Sequence, residues 1–111
     1  MNIQIYGKNK CFDTKKAERW FKERGIRFQS VDLARYGMSA GEMQNVLRAV
    51  GGVDALIDPK AKGAEVLRYL ALDEDKVRRL LDEPALLRTP IVRCGRQATV
   101  GFCPDVWKTW E

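Results

Sequence analysis

The opening 33 residues constrain the fold more than any other part of this 111-residue chain. In residues 2–6, NIQIY, Ile3 and Ile5 stand two apart, the period of a short strand, and Gly7 ends it. From about Asp13 to Arg24, Ala17, Trp20, Phe21 and the stem of Arg24 fall on one face of a helix. Gly25 is a natural C-terminal stop for it. Residues 26–33, IRFQSVDL, predict a second strand. A strand, a helix and a strand, joined at this length, predict a parallel pair with a right-handed crossover.

The rest of the chain predicts a helical stretch followed by a hairpin. Ser39 and Glu42 form the S-x-x-E signature of a capping box. It opens a helix carrying Met43, Val46, Leu47 and Val50 that stops at Gly51-Gly52. A short helix is expected over Ala64 to Leu70. Another, capped by Asp73 and carrying Val77, Leu80 and Leu81, should stop before Pro84. Ile91 to Arg93 and Gln97 to Gly101 read as strands around the turn Cys94-Gly95-Arg96. Pro104 suits the first turn of a last helix containing Val106, Trp107 and Trp110. The sum is one α/β domain over residues 1–111: βαβ, a helical insert over approximately 39–88, then ββα. Trp20, Phe21, Trp107 and Trp110 recur at helical spacing and are expected in the core. Arg78 and Arg79 are expected on the solvated outer face of their helix.

Composition narrows the chemistry. There is no histidine, which removes Ser-His-Asp and Cys-His catalysis and every histidine-containing metal site. Cys11, Cys94 and Cys103 form no C-x-x-C, and no G-x-G-x-x-G follows a strand, so neither a zinc site nor a dinucleotide site is expected. No run approaches the roughly 18 apolar residues of a membrane span, and MNIQIYGKNK has no signal-peptide character. A cytoplasmic location with free thiols is therefore expected. The formal net charge of +5 suits an anionic ligand or partner. The basic residues are dispersed and not interleaved with aromatics, so no direct nucleic-acid contact is expected.

Cys11 is the residue with chemistry. In YGKNKCFDTKKAERWF it follows a strand and precedes a helix, with Lys8, Lys10, Lys15 and Lys16 around it. The unpaired N–H groups and partial positive charge of a helix N-terminus favour a thiolate, as do the lysines. Thr14 could donate its hydroxyl to the sulfur, and Asn9 its amide. The alternative, a buried small filler, fits the lysine-rich setting less well. Cys94, at the predicted turn, is expected to be exposed and incidental.

Across nearly its whole length the chain resembles the arsenate reductase (ArsC) and Spx family. The resemblance rests on YGKNKC-x-x-T-KKA, A-L-I-D-P-K, L-L-R-T-P-I-V and V-G-F. It implies a thioredoxin-like fold with a four-stranded mixed sheet, Cys11 at the end of the first strand, and Pro90 as a cis-proline facing it. It also implies a thiol-dependent oxidoreductase with Cys11 as nucleophile, no bound cofactor, and glutathione or glutaredoxin as electron donor. Reductases of this family hold their oxyanion with three arginines. At the matching positions this chain has Lys60, Thr89 (with Arg88 one residue earlier) and Cys103. Lysine lacks the bidentate fork of arginine, and threonine and cysteine carry no positive charge. Lys8, Lys60 and Arg88, with Thr89 and Pro90 shaping the cleft, are the expected contacts to an anionic small molecule or low-molecular-weight thiol.

Cys103 could resolve an oxidised Cys11 as an intramolecular disulfide if the two came within about 7 Å. The plainer reading, that it begins or packs beneath the last helix, is preferred. The other branch of the resemblance implies a non-enzymatic regulator that binds the C-terminal domain of the RNA polymerase α subunit. Spx-like members switch through C-x-x-C. Here Thr14 stands at the second cysteine's place, and Gly51-Gly52 matches a glycine region of the polymerase contact.

Overall fold

The computed structural model describes residues 2–110. Strand β1 (Ile3–Gly7) leads into helix α1 (Phe12–Glu23) and returns through β2 (Phe28–Asp32). Helices α2 (Leu33–Tyr36), α3 (Ala40–Val50), α4 (Ala64–Arg68) and α5 (Asp73–Asp82) follow, with 3-10 turns at Asp54–Leu56 and Pro84–Leu86. The chain closes with β3 (Ile91–Cys94), β4 (Gln97–Val100) and α6 (Pro104–Trp107). The strands form one mixed sheet in the order β2-β1-β3-β4. β1 pairs parallel with β2, Ile3 opposite Phe28, and antiparallel with β3, Ile5 opposite Val92.

The alternation of β1 and β3 separates two cores. Ile3, Ile5 and Val92 point to one face, where Ala17, Trp20 and Phe21 of α1 meet Trp107 and Trp110. Trp20 and Trp107 pack edge to face at 5.4 Å, and the Trp107 indole N–H donates to the Thr99 hydroxyl at 2.8 Å. A buried indole therefore keeps its hydrogen bond. Tyr6 and Ile91 point to the other face, covered by Met43, Val46, Leu67 and Leu80 of the helical stretch. An isolated bridge between Ile57 and Leu87 ties the middle of that stretch to its exit.

The capping box at Ser39 is formed in both directions: the Glu42 N–H donates to the Ser39 hydroxyl, and the Ser39 N–H to the Glu42 carboxylate. Gly51 ends α3 in the left-handed conformation, φ 83°. Several sequence expectations need correction. The last helix ends at Trp107, so Trp110 lies beyond it although it is buried in the core. The second strand spans 28–32 rather than 26–33. Leu33 instead begins α2, capped by the Asp32 carboxylate accepting from the Ala34 N–H, with Leu33 buried. Asp73 is not the cap of α5: Leu72 holds that position, and Asp73, Glu74 and Asp75 form the first turn, where their charge suits the helix dipole. Cys94 is the last residue of β3, half-buried against the α1/α6 core, rather than exposed at the turn.

Candidate functional site

β1 ends at Gly7, and residues 8–11 bend the chain into α1. The Cys11 N–H donates to the Lys8 carbonyl (3.2 Å), and the Cys11 carbonyl accepts from the Lys15 N–H (3.3 Å). Cys11 thus occupies the N-cap position of a 12-residue helix, in extended backbone geometry. Its side chain is half-buried, and its Sγ lies 3.6 Å from the Thr89 carbonyl. Thr89 and Pro90 are joined by a cis peptide bond, so the expected cis-proline does stand beside the cysteine.

Thr14 sits one turn into α1. Its side chain is buried, and its hydroxyl has no hydrogen-bond partner. Such an orphan is uncommon, because a buried polar group ordinarily finds a partner. Ionisation of Cys11, one turn back along the chain, would offer it one. Burial alone pushes the Cys11 thiol up. The Thr14 and Thr89 hydroxyls and the backbone N–H groups of Thr14 and Asp13 outweigh it, and the net direction is below the ordinary thiol value. Close packing of α1 on β1 fixes Thr14: a Cβ on Gly7 would lie 2.2 Å from the Thr14 methyl.

A cleft of about 770 Å³ opens over Cys11. Lys8, Lys10, Lys60, Arg88 and Thr89 line it, with Phe12, Asp13, Asp58 and Pro59. The structure therefore gathers Lys8, Lys60, Arg88 and Thr89 around the cysteine. They differ in availability. Lys8 donates to the Ala85 carbonyl (2.8 Å) and pairs with Asp58 (3.5 Å). Lys60 and Arg88 are exposed and, among the described residues, make no ion pair. The Arg88 N–H is anchored to the Leu56 carbonyl at 2.8 Å. Its guanidinium lies over Gly101, where φ is 87° and a Cβ would come within 3.4 Å of it.

Asn9 is not part of this arrangement. It is exposed and lines the cleft on the other side of Lys8 and Thr14, with Glu18, Ser30 and Asp32, rather than the one that holds Cys11. Cys103 is the N-cap of α6; its Sγ donates to the Val100 carbonyl at 3.4 Å, and it does not line the Cys11 cleft. Burial pushes its thiol up, with Arg88 and the Thr99 hydroxyl pulling the other way. All three cysteines are free. Asp58 was missed at the sequence level. It accepts from the Lys60 N–H at 2.9 Å and holds Lys8, so it fixes both lysines relative to the cleft. The turn-forming D-P-K could have suggested it. Phe12, 78% exposed beside the cysteine, was also not singled out.

Among the described residues, no helix is long and apolar enough to cross a membrane. Among the described residues, no group of three or more cysteine or carboxylate side chains is placed to hold a metal ion.

Residues 6–110 match the family model described as the ArsC family. The chain is 34% identical over 110 residues to the global transcriptional regulator Spx 2 of Oceanobacillus iheyensis, covering 95% of this chain and 80% of that protein. Among solved structures, an ArsC family related protein from Bacteroides fragilis superposes with a TM-score of 0.86 at 18% identity, over 100% of this chain and 98% of the other. The arsenate reductase from Vibrio cholerae does so with a TM-score of 0.83 at 23% identity, over 96% and 94%. The glutaredoxin-like NrdH-redoxin from Escherichia coli gives a TM-score of 0.52 at 21% identity, over 100% and 96%, in keeping with a thioredoxin-like fold.

Proposed function

The chain belongs to the ArsC family, and from that premise we propose that it is a thiol-dependent oxidoreductase with Cys11 as its nucleophile. The observation that carries this reading is a cysteine at a helix N-cap, beside the unpartnered Thr14 hydroxyl, in a cationic cleft, surroundings that favour its thiolate.

In this reading the Cys11 thiolate attacks one sulfur of a disulfide substrate. A bond forms between Cys11 and that sulfur, the substrate S–S bond breaks, and the other half leaves as a thiolate. A low-molecular-weight thiol such as glutathione, or a glutaredoxin, then attacks the mixed disulfide. The donor becomes bonded to the retained half, and Cys11 returns as a thiolate. Thr14 and the α1 N–H groups hold the negative charge on sulfur, while Lys60 and Arg88 attract the anionic substrate, with Lys8 and Lys10 adding to the field. Thr89 and Pro90 wall the cleft. No prosthetic group takes part, and a reducing cytoplasmic setting suits the donor. Arsenate is a poorer fit than a disulfide, because Thr89 and Cys103 stand where family reductases carry arginine.

The pH dependence of Cys11 alkylation by iodoacetamide, in a Cys94→Ser, Cys103→Ser background, tests this. Fast labelling well below the titration of a free thiol is expected. Labelling that follows a free peptide thiol would sink the reading.

The 34% identity to a protein named as a transcriptional regulator favours a second reading. In it the chain binds the C-terminal domain of the RNA polymerase α subunit and performs no catalysis. Capture of that domain by the Cys11→Ala protein, together with unactivated Cys11, would select it.

A further inference from the structure

A second cavity of about 490 Å³ adjoins the Cys11 cleft, sharing Pro59 and Arg88 with it. The two cavities meet at Pro59 and Arg88 and are taken together as one groove. The 3-10 turn at Asp54–Leu56, α4 and α5 contribute its walls. Into the second cavity come Arg68 from α4, Lys76 from α5 and Arg88, against its single carboxylate, Asp54.

The charges are unevenly satisfied. The Lys76 side chain is only 13% exposed, and its ammonium reaches Asp54 at 3.1 Å; that carboxylate is 79% exposed. Arg68 and Arg88 make no ion pair among the described residues. Three cations share one carboxylate, and a ligand carrying carboxylates would relieve their mutual repulsion. Ala55, Ile57 and Pro59 supply the apolar remainder of the wall. Among the described residues no aromatic ring lines this cavity, and the ring in the other half of the groove, Phe12, stands alone beside Cys11, so successive bases would find no stacking platform.

The Cys11 cleft alone, at about 770 Å³, already has the volume of a small-molecule site. The second cavity therefore accommodates chain beyond a small thiol. We propose that the groove binds an extended acidic peptide segment of a protein partner, with the partner's cysteine at Cys11 and its neighbouring Asp or Glu side chains at Arg68, Lys76 and Arg88. This rests on the thiol chemistry proposed above and names its substrate as a protein disulfide in an acidic context.

The test separates the groove from the chemistry. Two fluorescein-labelled peptide sets carry Ser in place of the reactive Cys, flanked on either side by Asp and Glu or by Asn and Gln. Binding is read by anisotropy at low salt. The acidic set should bind wild-type protein at least about tenfold more tightly than the amide set. Arg68→Gln with Lys76→Gln should narrow that gap by at least about threefold, Arg88 and the lysines of the Cys11 cleft remaining, and leave Cys11 alkylation unchanged. Arg68→Glu, an exposed single change that avoids the less exposed Lys76, should narrow it as well. Equal binding of the two sets by wild type, a gap that is unchanged in both variants, or tighter binding of a single-stranded oligonucleotide of equal charge would each overturn the proposal. Failure of Cys11 activation shows in the alkylation profile alone, because these peptides carry no thiol.

Discussion

Gly7 owes its place to Thr14, because α1 packs so closely on β1 that a methyl group at Gly7 would overlap the threonine. Gly7→Ala should displace Thr14 and move the Cys11 alkylation midpoint up towards that of a free thiol. Thr14→Val should do the same without disturbing the packing. With a hydrogen bond to a charged sulfur removed, alkylation at about pH 6 is expected to slow roughly tenfold. Stability measured in acid, below the titration of the folded thiol, should be unchanged or higher, since there the substitution deletes a buried hydroxyl with no partner. A large loss of stability in Thr14→Val would mean that the hydroxyl has another role. At Asp58 the expected sign is opposite. Asp58→Asn keeps an acceptor for the Lys60 N–H but frees the Lys8 ammonium, so reaction with an anionic disulfide should rise, by about threefold.

Helix α3 is held to the sheet by polar groups as well as by Met43 and Val46. Tyr6 donates to Glu42, and Arg93 reaches Gln4 (2.9 Å), the Tyr6 hydroxyl (3.0 Å), Glu42 (3.4 Å) and Asn45 (2.8 Å). Burial and Glu42, only partly offset by Arg93, push the Tyr6 phenol up to about 12. Its folded pKa lies above its ordinary value of about 10. The associated stability is therefore complete below about pH 10 and lost as pH rises towards 12. Ultraviolet titration should show one tyrosine ionising near 12, a step absent from Tyr6→Phe. At the same helix Ser39→Ala should cost about 1 kcal/mol in denaturant unfolding, since it removes the hydroxyl half of the capping box. The box, the Gly51 stop and the alternation of Ile3 and Ile5 were all legible, because each is a local device with a fixed spacing. Helix α2 was not: LARY is a single turn, too short to show a period, and β2 is an edge strand whose mixed exposure blurs its ends. The cleft that Asn9 lines was not legible either, because the sequence gives no direction to a side chain in the bend after Gly7.

Over the whole molecule, the net charge of +5 concentrates where it matters only through folding. Lys60 and Arg88 were legible as candidates. Their convergence with Arg68 and Lys76 along one groove was not, because α4 and α5 lie far from Cys11 in sequence. Reaction with an anionic disulfide should slow as ionic strength rises, while reaction with neutral iodoacetamide stays flat; parallel slopes would place the substrate's charge away from the groove. The resting thiol also has a consequence for the folded state as a whole. A pKa lower in the folded chain than in the unfolded one means that ionising Cys11 stabilises the fold. That contribution is full above the unfolded thiol's pKa and fades as pH falls through the folded value. The sulfur anion thus acts as a pH-dependent rivet between α1 and the Thr89–Pro90 turn, and capping it with a methyl group should lower Tm in mildly alkaline solution more than in acid.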